Sequence, residues 1–297
     1  MLKLGRLLTA MVTPFDESGN VDYGQARKLA LALLASGSDG VVVSGTTGES
    51  PTLDSEEKLR LFAEVKSAIG DRGSVVAGTG SYNTRESSKL TKEAEWIGVD
   101  AVLLVVPYYN KPTQEGLFQH FASIASGTNL PCILYNVPSR TITSLSPDTV
   151  IRLSQIDNII GLKEASGNME QVAKILDGID KEFLLYSGND SDTFSILTLG
   201  GYGVISVASH LVGDQIKQMM EKVIAGEVAQ GAAIHRHLLP LVNALFIVSN
   251  PIPLKHALNH LGFAVGKPRL PLTPPDEKSA AAIEAVLKNY RIALATV

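Results

Sequence analysis

The chain has 297 residues, 45% hydrophobic and 19% charged, enough apolar material for one large core of enzyme size. A formal net charge of -4, with both signs spread along the sequence, leaves no basic stripe for a phosphate backbone and excludes nucleic acid as a partner. No apolar run reaches the roughly 18 residues needed to cross a bilayer, so no membrane association is expected.

The opening stretch runs straight into Met11-Val12-Thr13-Pro14-Phe15 with no small-residue cleavage site, so it reads as a first strand and not as a signal segment. Short β-branched runs then recur, each followed by a stretch of helical spacing. Strands are expected at 6–12, 40–44, 74–79, 101–106, 132–135, 159–163, 183–187 and 203–207. Amphipathic helices lie between them: 55–69, with an inward stripe of Leu59, Phe62, Ala63 and Val65-Lys66, and 84–97, opened by Thr84-Arg85-Glu86. Solid apolar strands are what burial on both faces of a parallel sheet requires. Eight strand-helix units predict a closed (β/α)8 barrel over residues 1–225. After it the pattern is only helical, at 211–224, 228–248, 254–261 and 276–294, predicting a C-terminal helical appendage over 226–297. Asn250-Pro251-Ile252-Pro253 interrupts these helices, and the proline-rich stretch 267–275 reads as an extended linker. The single cysteine, Cys132, lies in an apolar run and reads as a small buried hydrophobe, which fits a reducing, cytoplasmic compartment.

Barrel chemistry collects at the carboxyl ends of the strands, and those ends are polar here. Lys163 closes the run Ile159-Ile160-Gly161-Leu162-Lys163. It is either a lysine whose head reaches water or a dry amine able to attack a carbonyl carbon and form a Schiff base. Gly45-Thr46-Thr47-Gly48 is either a structural turn or a cradle of hydroxyls and amides for a small carboxylate; it lacks the lysine of a nucleotide loop. Gly188 and Ile205, at the mouths of the last two strands, could help hold the same group. Tyr135 either packs or carries protons beside the lysine. Tyr108 and Tyr109, adjacent in an extended segment, point to different surfaces. Arg140 is either solvated or a clamp for a carboxylate. His256 and His260 have helical spacing and His235 and His237 are close, yet no carboxylate or cysteine completes a metal site, so no metal is expected.

The strings Gly45-Thr46-Thr47-Gly48-Glu49-Ser50, Pro107-Tyr108-Tyr109-Asn110-Lys111-Pro112, Tyr135-Asn136-Val137-Pro138-Ser139-Arg140-Thr141 and Gly161-Leu162-Lys163-Glu164-Ala165-Ser166-Gly167 together resemble the dihydrodipicolinate synthase family of pyruvate-dependent lyases and aldolases. The likeness spans nearly the whole chain. It implies condensation of pyruvate with aspartate 4-semialdehyde, without a cofactor. Lys163 would form the pyruvyl Schiff base, with Thr46, Tyr135 and Tyr109 as a proton relay, Tyr109 coming from a neighbouring subunit of a tetramer of two tight dimers. Thr47 would hold the pyruvate carboxylate, Arg140 the semialdehyde, and Gly188 and Ile205 would line the pocket. Sialic acid lyases and keto-deoxy sugar acid aldolases share the lysine and tyrosine; Thr46 and Arg140 separate this chain from them. A barrel that binds a keto acid without turning it over is the non-enzymatic alternative. The family's lysine feedback site matches in part, at Ser50, Glu86 and Tyr108. Lys58 stands where sensitive enzymes commonly have histidine, and Tyr82 where they commonly have asparagine, so weak or absent lysine inhibition is expected.

Overall fold

The structure is a computed structural model and describes residues 4–294. The first half of the alternation runs β1 (Leu7–Ala10), α1 (Tyr23–Ala35), β2 (Gly40–Val43), α2 (Ser55–Ile69), β3 (Ser74–Gly78), α3 (Thr84–Ile97), β4 (Ala101–Val105) and α4 (Gln114–Ser126). It continues with β5 (Cys132–Asn136), the short α5 (Pro138–Thr141), α6 (Pro147–Leu153), β6 (Ile159–Glu164), α7 (Met169–Gly178), β7 (Leu184–Ser187), α8 (Thr193–Thr198), β8 (Gly203–Ser206) and α9 (Ser209–Ile224). The strands pair in sequence order, all parallel, and β8 returns to β1, so the sheet closes into a (β/α)8 barrel. Three further helices follow among the described residues: α10 (Val228–Ala244) packs on α9, and α11 (Ile252–His260) packs on α12 (Glu277–Leu287).

Two hydrophobic cores explain the solid strand runs. Residues such as Leu8, Val42, Val76, Leu103, Ile133, Tyr135, Tyr186 and Ile205 fill the barrel interior. Their strand neighbours Leu7, Val41, Val75, Val102, Leu134, Leu162 and Val204 face the helices. With both faces covered, alternation of side chains leaves no polar face to read. Local signals start the helices. Asp54 caps α2 in a full capping box with Glu57, and Asp22, Thr113, Ser146, Asn168 and Asp276 cap α1, α4, α6, α7 and α12 through their side-chain oxygens.

Helix α3 spans the expected 84–97, and Asn83 caps it by accepting from the amides of Arg85 and Glu86. Other details differ from expectation. On α2 the fully buried positions are Leu61, Phe62, Val65 and Ile69; Leu59 is half-buried, Ala63 is exposed and Lys66 pairs with Asp100 at 2.7 Å. The helix expected to 248 ends at Ala244, and the one expected to 294 ends at Leu287. Beyond Leu287 the chain turns back along α9, where the amide of Ala293 bonds the carbonyl of Leu211 at 2.8 Å. Tyr290, Ile292 and Leu294 stay packed on the core in that non-helical tail, which is why the apolar pattern outlasts the helix.

Candidate active site

The carboxyl ends of β2, β4 and β5 enclose a cavity of about 220 Å³ whose lining includes Thr46, Ser50, Tyr108, Tyr135 and Arg140. A larger cleft of about 570 Å³ opens at the opposite end, among Arg6, Asp39, Lys66, Asp100 and Lys217, where Lys66 pairs with Asp100 and Lys217 with Asp39. The conventional location of barrel chemistry and the polar lining both favour the smaller cavity.

Lys163 is the second-last residue of β6, 5% exposed, on the barrel's inner face with Gly161 and Ala165. It is in register with Tyr135 on β5, and its Nζ lies 4.2 Å from the centre of that ring. A lysine with its head at water would not be so enclosed. Tyr135, likewise 5% exposed, both lies against Nζ and lines the cavity, which places the lysine next to it. Gly188 directly follows β7, and a Cβ there would come 2.7 Å from that of Ala165, so only glycine fits. The amide of Gly188 is already committed to the carbonyl of Glu164 at 2.7 Å, which leaves its carbonyl as the free backbone group. Ile205 is buried in the inner core, in register with Leu8.

The loop after β2 is a cradle in form. Among the described residues, no acceptor takes the amide N–H of Gly45, Thr46, Thr47 or Gly48. Successive free amides in a tight turn make a concave site for an anion. Thr46 lines the cavity, whereas Thr47 is buried and receives a hydrogen bond from Nδ2 of Asn250 at 2.9 Å. Arg140 sits in α5 at the rim, exposed, with no carboxylate partner among the described residues. Its loop is anchored from below: Asn136 accepts from the amide of Leu145 at 3.0 Å and donates to buried Glu164 at 3.0 Å.

Tyr108 and Tyr109 do face different surroundings, although the segment is not extended: Tyr109 has φ 72°. Tyr108 borders the cavity and meets Tyr82 edge to face at 5.1 Å, and Tyr109 is 94% exposed. Lys58 is half-buried, and burial pushes its ammonium below the ordinary lysine range while nearby Glu86 and Asp54 oppose the shift. Ser50 and Tyr108 thus line the cavity, with Tyr82 against Tyr108 and Lys58 within the field of Glu86. Sequence spacing missed a carboxylate beside the helical histidines. Glu284 of α12 places Oε1 3.0 Å from Nε2 of His256 and 3.3 Å from Nδ1 of His260. Among the described residues, no cluster of three or more His, Cys, Asp and Glu side chains forms a metal-binding group.

The model of the Dihydrodipicolinate synthetase family matches residues 3–290. The chain belongs to that family. A 4-hydroxy-tetrahydrodipicolinate synthase of Dehalococcoides mccartyi is 64% identical over 294 residues, covering 99% of each chain. Among solved family members, a dihydrodipicolinate synthase of Bacillus anthracis superposes with a TM-score of 0.96 at 45% identity, over 98% of this chain and 100% of the other. One from Cyanidioschyzon merolae, solved with lysine bound, has a TM-score of 0.95 at 45% identity, over 96% and 98% of the two chains.

Proposed function

We propose that this family member is a Schiff-base lyase, a 4-hydroxy-tetrahydrodipicolinate synthase. It condenses pyruvate with L-aspartate 4-semialdehyde in the first committed step towards diaminopimelate and lysine. The observation that carries this assignment is the enclosure of Lys163 against the Tyr135 ring, below a cavity bordered by Thr46 and Arg140.

In the neutral form, Lys163 attacks the ketone carbon of pyruvate, and loss of water leaves an imine. The imine withdraws electrons, so the pyruvate methyl loses a proton and becomes the enamine carbon that attacks the semialdehyde's carbonyl. Attack of the substrate's own amine on the imine carbon closes the ring and frees Lys163. Protein nitrogen serves as the electron sink, so the chemistry calls for no cofactor. Tyr135 and Thr46 move protons, with Tyr109 of a second copy completing the relay. The free amides around Thr47 take the pyruvate carboxylate, the carbonyl of Gly188 and the side chain of Ile205 shape the pocket, and Arg140 receives the semialdehyde's charged end. These residues all fall within 1–225, the part assigned to the catalytic barrel, and 226–297 is assigned to the helical appendage. A tetramer of tight dimers supplies the second Tyr109. A cytoplasmic setting agrees with the lone Cys132, whose thiol burial pushes up to about 12.

Borohydride added with pyruvate should reduce the imine to a stable adduct on Lys163. A Lys163→Ala variant should lose both the adduct and most of the turnover with aspartate 4-semialdehyde. Full turnover in that variant would overturn the mechanism, and turnover of N-acetylmannosamine in place of the semialdehyde would overturn the substrate.

A further inference from the structure

The cradle loop is held from outside at more points than a surface turn needs. Within it, the amide of Ser50 bonds the carbonyl of Gly45 at 3.2 Å and that of Glu49 bonds the carbonyl of Thr46 at 3.0 Å. The remaining contacts are distant in sequence. The Thr13 hydroxyl donates to the carbonyl of Gly48 at 2.7 Å, and Nδ2 of Asn250 donates to Oγ1 of Thr47 at 2.9 Å. Glu49, 2% exposed, places Oε1 2.7 Å from Nζ of Lys255 and accepts the amide of Arg269 on Oε2 at 2.8 Å. The Lys255 ammonium also lies 4.0 Å from the centre of the Phe15 ring, with the Arg269 guanidinium 4.4 Å from that centre.

This arrangement is a costly way to fill space. A buried ion pair gives little net stability compared with apolar side chains of equal volume, but it holds geometry. The geometry held is strained: Glu49 adopts φ 54°, a left-handed conformation that a residue with a Cβ avoids. The Asn250 contact also has a chemical consequence. A hydroxyl carries one proton and accepts through its lone pairs. With Asn250 donating to Thr47, the threonine proton remains available for an acceptor, and a carboxylate offers only acceptors.

We propose that Asn250 and Lys255, at the leading end of α11, are positioning residues for pyruvate. They brace the loop from both sides of Gly48, so that the Thr47 hydroxyl and the free amides of Gly45 to Gly48 converge on one carboxylate. The helical segment is then part of the substrate site and not only an appendage. This inference rests on the function proposed above, and the borohydride adduct separates the two. If wild-type protein forms no pyruvate adduct, the functional proposal fails; if the adduct forms normally, the brace is tested alone.

Asn250→Ala and the charge-free pair Glu49→Gln with Lys255→Met are compared with wild type for both KM values, kcat and Tm. The expected result is a pyruvate KM raised about tenfold, as for loss of one hydrogen bond to a charged group. The semialdehyde KM should stay within about twofold, and the Lys163 adduct should still form at saturating pyruvate. Thr47→Val should raise the pyruvate KM similarly, and Asn250→Ala should add nothing in that background, since both act through one hydroxyl. Where truncation does not fold, Asn250→Asp keeps the shape and supplies an acceptor that captures the Thr47 proton, with the same expected rise. An unchanged pyruvate KM in the variants that fold, or an additive effect of Asn250→Ala on Thr47→Val, would overturn the brace.

Discussion

Two buried histidines show how single residues set the pH range of this fold. His210 is fully enclosed. Its Nδ1 lies 2.9 Å from the carbonyl of Val207 and its Nε2 accepts the amide of Val12 at 3.2 Å, so both nitrogens are used in the neutral ring. Burial pushes its pKa down to about 4. His120 on α4, bonded through Nδ1 to the Thr84 hydroxyl at 2.9 Å, is likewise lowered to about 4 by burial. Since the unfolded chain protonates near 6.5 and the folded one near 4, the stability held in each neutral ring is complete above pH 6.5. It is lost as pH falls towards 4, to the extent of about 3 kcal/mol for each ring. Thermal unfolding should therefore show Tm falling steeply between pH 6.5 and 4.5, and a His210→Gln variant should show a shallower slope over that interval. At the site, Tyr135→Phe removes the hydroxyl assigned to proton transfer while keeping the ring over Lys163. Its kcat should fall at least about 100-fold, with the borohydride adduct still detectable by mass.

At the scale of elements, α2 depends on its first turn. Asp54 accepts the amide of Glu57 at 2.8 Å, the Glu57 carboxylate accepts the amide of Asp54 at 3.1 Å, and that carboxylate also receives the guanidinium of Arg269. Asp54→Ala should cost about 1 kcal/mol, read as a lowered denaturant midpoint at unchanged slope. The strands were legible because burial on both faces turns each into an unbroken apolar run, and the polar ends were legible because a barrel collects chemistry there. Helix α3 was legible to the residue at 84–97; its cap, Asn83, was not singled out, because Asn83 and Thr84 are both competent caps in adjacent positions. Lys163, Tyr135 and Thr46 stood out locally as polar groups ending apolar strands. Asn250, Lys255 and Arg269 did not, because their partners Thr47 and Glu49 lie 203 to 220 residues away and no periodicity links them. Glu284 escaped for the same reason, as a carboxylate that reaches the histidines of α11 only through helix packing.

For the whole molecule, the decisive feature is Tyr109, 94% exposed at φ 72° on the rim that carries Tyr108. The proposed relay takes this hydroxyl from a second copy, so activity should fall with dilution in step with dimer dissociation, as followed by sedimentation and turnover on the same samples. Tyr109→Phe should lower kcat while leaving the dimer intact. The lysine site implied by the family likeness belongs at this scale too, because Ser50, Lys58, Tyr82, Glu86 and Tyr108 come from loops and helices following β2, β3 and β4. The Lys58 cation opposes a second ammonium nearby, so lysine should inhibit weakly or not at all; halving of activity by submillimolar lysine would refute this.

The brace also orders events in time. All eight strands are translated by Ser206, whereas the groups that grip the Thr47 turn, Asn250, Lys255 and Arg269, come only later in the chain. With the brace, strands emerging ahead of these groups would still lack a set keto-acid pocket, and competence would wait until Arg269 clears the exit tunnel.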